Sequence, residues 1–167
     1  DQLGIVPDDV YRMGQFLGLS AFASLSVPRD ELRYPRHEPV THPRLRQIDA
    51  EEPEAIFAEI ARGDILLHHP YDSFDTSVLR FLQAAAVDPQ VLAIKTTIYH
   101  TSSDSPIVKA LIDASRAGKQ VAVLVEITAR FDEAPNIAWG DLLEDEGVHV
   151  AYGIDHLKTH VKLALVV

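Results

Sequence analysis

Residues 158–162 read Lys158-Thr159-His160-Val161-Lys162 and form the densest run of reactive side chains in the sequence. On a β-strand, residues two apart point to the same face, which would put Lys158, His160 and Lys162 on one side. An imidazole beside ammonium groups suits attack on an anion: the lysines offset the charge of a phosphate while the neutral ring acts as nucleophile. The same residues also make an ordinary polar strand face with two solvated lysines. Spacing alone leaves both readings open.

Three other stretches carry chemistry-bearing residues. In Thr101-Ser102-Ser103-Asp104-Ser105-Pro106, Ser105 is a good N-cap and Pro106 a good first helical residue. The open N–H groups there would receive a phosphate, or simply be capped. In Glu126-Ile127-Thr128-Ala129-Arg130-Phe131-Asp132-Glu133, charges gather at the C-terminal end of an apolar strand, where open α/β sheets bind ligands. Arg130 either pairs with Asp132 or Glu133 or presents its planar fork to a phosphate. In His68-His69-Pro70-Tyr71-Asp72-Ser73, neighbouring histidines on a strand face opposite sides and make a poor metal pair. Asp72 or Ser73 reads as the cap of the next helix.

The elements that must position these groups follow from periodicity. Residues 1–27 read as short helical material, with Val10, Met13, Phe16 and Leu17 on a helical period. Pro28, Pro35, Pro39 and Pro43 then mark an extended linker, and a domain boundary is placed near residue 50. Beyond it the pattern predicts a helix at 53–62, a short strand at 65–68, a helix at 73–86, a strand at 91–99 and a helix at 106–117. A strand at 121–127, a helix at 135–146, a strand at 148–152 and a final strand at 160–167 complete it. Alternating strands and helices indicate βαβ units: an α/β fold with a mixed, mainly parallel, buried sheet flanked by helices.

Composition narrows the function. The 167 residues carry 25 acidic and 15 basic side chains, a net charge of −10, which argues against a stand-alone nucleic-acid binder. The first ninety residues hold 8 Arg, no Lys and 15 acids; the remainder hold 5 Lys, 2 Arg and 10 acids. Residues 156–167 contain no acid at all, so the His160 strip is locally cationic inside an acidic chain. With no cysteine there is no disulfide, thiolate metal site or thiol nucleophile. At 47% hydrophobic residues the chain can build a real core, while no apolar run approaches the roughly 20 residues of a membrane-spanning helix. A soluble, cytoplasmic protein is expected. Asp1 at the start and Val166-Val167 inside an apolar run read as the ends of a segment cut from a longer polypeptide.

Together, "DILLHHPYDSFDTSVLRFL", "VLAIKTTIYHTSSDSPIVKALIDASRAGKQVAVLVEITARFDE", "NIAW", "GVHVAYG" and "LKTHVKLALVV" resemble, in order, blocks of bacterial polyphosphate kinase of the long-chain-synthesising type. The resemblance covers residues 53–167, with a weaker likeness over 1–50 to the end of that family's middle domain. It implies a phospholipase-D-like catalytic domain at 51–167, truncated at its C-terminal end, and reversible transfer of the terminal phosphate of ATP to polyphosphate through a phosphohistidine. By position, His160 is the histidine that is phosphorylated, Lys162 steadies the transferred group and Lys158 adds to the field.

Arg130 matches a family position at the magnesium–phosphate site. A guanidinium is not a metal ligand, so it is assigned to phosphate oxygens, and no direct metal ligand is assigned. His100 stands where the family usually has arginine, replacing a permanent charge with a titratable ring. The resemblance further implies Mg²⁺, ATP/ADP and polyphosphate as cofactor and substrates, a homo-oligomer at full length, and cytoplasmic location with or without peripheral membrane association. The fragment alone is expected to be inactive, since the family's other domains contribute to the nucleotide site. Two alternatives remain. A phospholipase-D-like phosphodiesterase shares the strand-borne His-x-Lys but adds an Asp five residues after the lysine, where this chain has Val167. The other is a folded segment without catalysis.

Overall fold

The computed structural model describes residues 4–14, 18–48, 52, 55–99, 105–126, 133–153 and 156–167. They divide into two units, Asp1–His37 and Glu38–Val167.

In the first unit the expected helical period does not produce an α-helix. Three 3₁₀ turns form instead, at Pro7–Asp9, Leu19–Ser24 and Asp30–Leu32. Val10 and Met13 are both exposed; Phe16 and Leu17 lie outside the described residues. Local bonds hold the turns: the Asp9 carboxylate accepts from the Val6 N–H at 3.0 Å, and Arg33 Nε donates to the Val27 carbonyl at 2.9 Å.

The second unit carries the sheet. Its helices are α1 (Pro43–Arg46), α2 (Ala55–Ala61), α3 (Arg80–Val87), α4 (Pro106–Arg116) and α5 (Glu133–Asp145). Its strands are β1 (Ala93–Ile98), β2 (Gln120–Val125), β3 (His149–Tyr152) and β4 (Ala164–Val166). The strand order is β3-β2-β1-β4; β1, β2 and β3 run parallel and β4 runs antiparallel to β1. The α/β class with a mixed, mainly parallel sheet is therefore as the periodicity predicts.

Alternation in the strands decides where the core lies. Ile94, Thr96 and Ile98 of β1 and Val121, Val123 and Val125 of β2 are buried against Leu82 of α3, Val108, Leu111 and Ala114 of α4 and Leu143 of α5. Successive βαβ crossovers return on the same side, so these helices share one face. The sheet is thus not buried on both faces among the described residues. Lys95, Ala122, Leu124, His149, Ala151 and Leu165 border an open space of about 330 Å³ on the other side. A second cluster, Leu45, Ile56 and Ala84 with Ile65, Leu67 and Phe81, packs α1 and α2 against α3.

Residues 65–68 form no strand. Ile65 and Leu67 turn into the second cluster while Leu66 is 89% exposed, so the alternation is real but no neighbouring strand pairs with it. The following helix starts as a π turn, Asp75–Leu79, before α3. Ser73 caps it as expected, its Oγ accepting from Thr76 N–H at 3.3 Å. Asp72 instead accepts from His68 N–H at 2.7 Å. Gly118, at φ +84° just past α4, takes the left-handed backbone that ends the helix.

Candidate functional site

The site is built where β1 and β2 end. Ile98 closes β1, Tyr99 follows it, and Glu126 follows Val125 at the end of β2. The parallel register places these ends side by side, with Ile98 opposite Val125. Glu126 N–H donates to the Ile98 carbonyl at 3.0 Å. Asn136, on the first turns of α5 and fully buried, closes the junction: its Nδ2 donates to Tyr99 O at 2.8 Å and to Glu126 O at 2.9 Å. Such carbonyls lie past the ladder and would otherwise lack a regular partner.

Against this junction lies the segment that leads into β4. It leaves β3 through Gly153, whose φ of +63° permits the turn without strain. The expected strand at 160–167 is only Ala164–Val166, and His160 and Lys162 precede it. The reason is local. Instead of a continuous ladder, the Thr97 hydroxyl donates to Val161 O at 2.9 Å and accepts from Leu163 N–H at 3.0 Å, while Thr97 N–H donates to Leu163 O at 3.0 Å. A side chain inserted in the pairing stops the regular strand at Ala164. On the other side of His160, the Glu126 carboxylate accepts the Thr159 N–H at 2.6 Å. Both neighbours of His160 in the chain are therefore tied to the sheet.

Tyr99 gathers the three residues of the cationic strip. Its ring meets the His160 imidazole edge-on, with centroids 5.0 Å apart and planes at 79°. Lys162 Nζ lies 3.8 Å from the Tyr99 ring centre and Lys158 Nζ 5.7 Å. Lys162 also donates to the His160 carbonyl at 2.6 Å. An ammonium carries three donors, so Lys162 keeps capacity for an anion after this bond. His160, Lys158 and Lys162 are exposed, as a group that must meet a solute has to be.

Lys162 additionally borders a cleft of about 500 Å³ whose apolar walls include Ile56, Leu67 and Phe81 and whose polar lining adds Asp64 and Ser77.

Of the residues singled out from sequence, His160, Lys158 and Lys162 come together, though not on a regular strand. His100, Arg130 and Thr101–Asp104 lie outside the described residues. Ser105 takes the N-cap position ahead of Pro106, but its side chain makes no capping hydrogen bond. Two residues went unrecognised, Tyr99 and Asn136, while Glu126 belongs to the charged run noted at the end of the apolar strand without a role of its own. Glu126 did carry a signal, as a lone acid closing the apolar run Val121–Val125. Asn136 in "NIAW" had none beyond its place near a helix start.

Among the described residues, the groups around His160 are ammonium groups, an aromatic ring and the Glu126 carboxylate, which accepts a backbone N–H. Among the described residues no set of three or more His, Asp or Glu is grouped to hold a metal ion. The described residues of this set do not fit a directly ligated Mg²⁺. No helix among the described residues is long and apolar enough to cross a membrane.

Comparison with known proteins gives a consistent picture. Residues 55–167 match the family described as polyphosphate kinase C-terminal domain 1. A polyphosphate kinase of Mycobacterium tuberculosis is 56% identical over 167 residues, covering 99% of this chain and 22% of the relative. One of Mycobacterium avium is 54% identical, with 99% and 23% covered. The crystal structure of polyphosphate kinase from Porphyromonas gingivalis superposes with a TM-score of 0.72 at 34% identity, covering 98% of this chain and 24% of that one. The chain thus spans less than a quarter of the length of the relatives it matches.

Proposed function

The chain belongs to the polyphosphate kinase family, in its C-terminal domain 1, and from that premise we propose that it carries the phosphoryl-accepting centre of an ATP:polyphosphate phosphotransferase. The observation that carries this reading is the exposed His160 ring, set against Tyr99 with Lys158 and Lys162 on the same aromatic ring and with both chain neighbours tied to the sheet. Phosphoryl transfer asks for in-line positioning and offset charge more than for covalent help from the protein. An unprotonated nitrogen of His160 attacks the γ-phosphorus, the P–O bond to the β-phosphate breaks and ADP leaves. A terminal oxygen of polyphosphate then attacks the phosphohistidine, the P–N bond breaks and the imidazole is regenerated with the polymer one unit longer. Lys162, held close by its bond to the His160 carbonyl, offsets charge on the transferred group, and Lys158 adds to the field.

In the same reading Arg130 contacts phosphate oxygens, His100 lines the phosphate site in place of the usual arginine, and Mg²⁺ arrives with the nucleotide. Residues 51–167 are the first catalytic domain and 1–50 the end of a preceding one. The full-length protein is a cytoplasmic homo-oligomer, and the isolated 167 residues do not sustain polymer synthesis.

The test uses the full-length protein incubated with γ-labelled ATP. An acid-labile, base-stable label that disappears in His160→Ala supports the proposal. Label that survives the substitution, or release of a phospholipid headgroup instead, overturns it.

A further inference from the structure

Glu126 is 4% exposed, and burying a carboxylate is costly unless it is bonded. Its Oε2 is spent on a main-chain N–H, that of Thr159, 33 residues further along the chain and adjacent to His160. The anchor is itself rigidly held. Glu126 N–H is bonded to Ile98 O at the end of β1, and Glu126 O is bonded to the buried Asn136, which also holds Tyr99 O. One asparagine therefore fixes both the backbone that carries the anchoring carboxylate and the backbone that carries the ring against which His160 stands. Thr97 secures the far side through Val161. Among the described residues, the tie from Thr97 comes from β1 and the tie from the Glu126 side chain spans from the end of β2 to the reactive segment.

We infer that Glu126 is a positioning residue for phosphoryl transfer to His160: the reach of its side chain sets the backbone at Thr159, and through it the place of the imidazole relative to Tyr99 and the two lysines. This rests on the phosphohistidine reading above. Glutamine has the same reach and keeps an oxygen acceptor for the Thr159 N–H. Aspartate keeps the charge but is one methylene shorter, so Thr159 is released or drawn toward β2. Misplacement of a reacting group by about 1 Å is enough to cost about 100-fold in rate.

The experiment is single-turnover phosphorylation of the full-length protein by γ-labelled ATP, in wild type, Glu126→Gln and Glu126→Asp, with the ATP dependence measured in each. The inference expects Glu126→Gln to label within about threefold of the wild-type rate. It expects Glu126→Asp to label about 100-fold more slowly, with half-saturation for ATP moved by no more than about twofold. Equal loss in both variants, loss in neither, or loss in glutamine alone overturns the positioning role, the last because charge rather than reach would then be what matters. A wild-type protein that takes up no label on His160 removes the phosphohistidine reading itself, an outcome distinct from any pattern among the Glu126 variants.

Discussion

Lys162 Nζ stands 3.8 Å from the centre of the Tyr99 ring, closer than Lys158 at 5.7 Å. A cation over an aromatic face is held by the ring's quadrupole, worth about 0.5–2 kcal/mol according to exposure. Tyr99 thereby keeps an ammonium beside the imidazole that its edge also contacts. Tyr99→Phe preserves the face and is expected to leave phosphohistidine formation in the full-length protein within about twofold of wild type. Tyr99→Leu keeps a smaller apolar side chain without a π face and is expected to slow it about tenfold, the equivalent of roughly 1.4 kcal/mol. Single-turnover labelling reads both; equal rates in the two variants would remove the ring from the account.

Thr97 supplies the hydroxyl that both donates to Val161 O and accepts from Leu163 N–H. Thr97→Val keeps the shape and removes both bonds, so unfolding of the chain in urea should show a loss of about 1–3 kcal/mol. Thr97→Ser keeps the hydroxyl and is expected to lose less than half as much. A valine variant as stable as wild type would show that the hydroxyl does not hold the segment.

Asn136 donates twice from complete burial. Asn136→Asp is nearly isosteric but cannot donate when ionised, and it adds a buried charge. Its expected cost is on the order of 2–4 kcal/mol of stability, read as a lowered melting temperature. Unchanged melting would mean that the strand ends are held by other contacts.

How much of this was legible differs by element. The strand over 91–99 and the helix over 106–117 were readable because their signals are local: β-rich residues ending at Tyr99, then Pro106 with an apolar stripe through Val108, Leu111 and Ala114. Residues 65–68 show the limit of such signals. Ile65 and Leu67 alternate with exposed Leu66 as a strand would, yet a strand exists only where another chain segment pairs with it, and that is not encoded in four residues. The His160 segment misled for a related reason. Its alternation suggests a strand, but the Thr97 side chain takes part in the pairing from more than sixty residues away. The roles of Glu126 and Asn136 are not legible in the sequence, because their work is done on backbone atoms of Thr159 and Tyr99, which carry no sequence signature.

Outside the site, Arg44 joins α1 to the end of α2. Its Nε meets Glu59 Oε1 at 2.5 Å and its other nitrogens donate to the carbonyls of Glu59, Gly63 and Asp64. The Arg44 hydrogen bond is the main cause that holds the Glu59 carboxyl below its ordinary value, partly opposed by burial and aided by Arg62. A depressed carboxylate contributes stability above the unfolded-state value and loses it as pH falls through the folded one. Glu59→Gln should therefore melt at a lower temperature than wild type near neutrality, and the gap should close on acidification below the usual carboxylate range. A gap independent of pH would contradict the ion pair as its source.

The proposed function stands on His160 as the residue that accepts the phosphoryl group. The most direct measurement is residue-level mapping of the phosphate in full-length protein, quenched in base after brief exposure to ATP and digested under alkaline conditions by mass spectrometry. One phosphate is expected on the peptide spanning Lys158–Lys162, placed on His160 and discharged when polyphosphate is added. Phosphate on another residue, or none under conditions in which the protein turns ATP over, would contradict it.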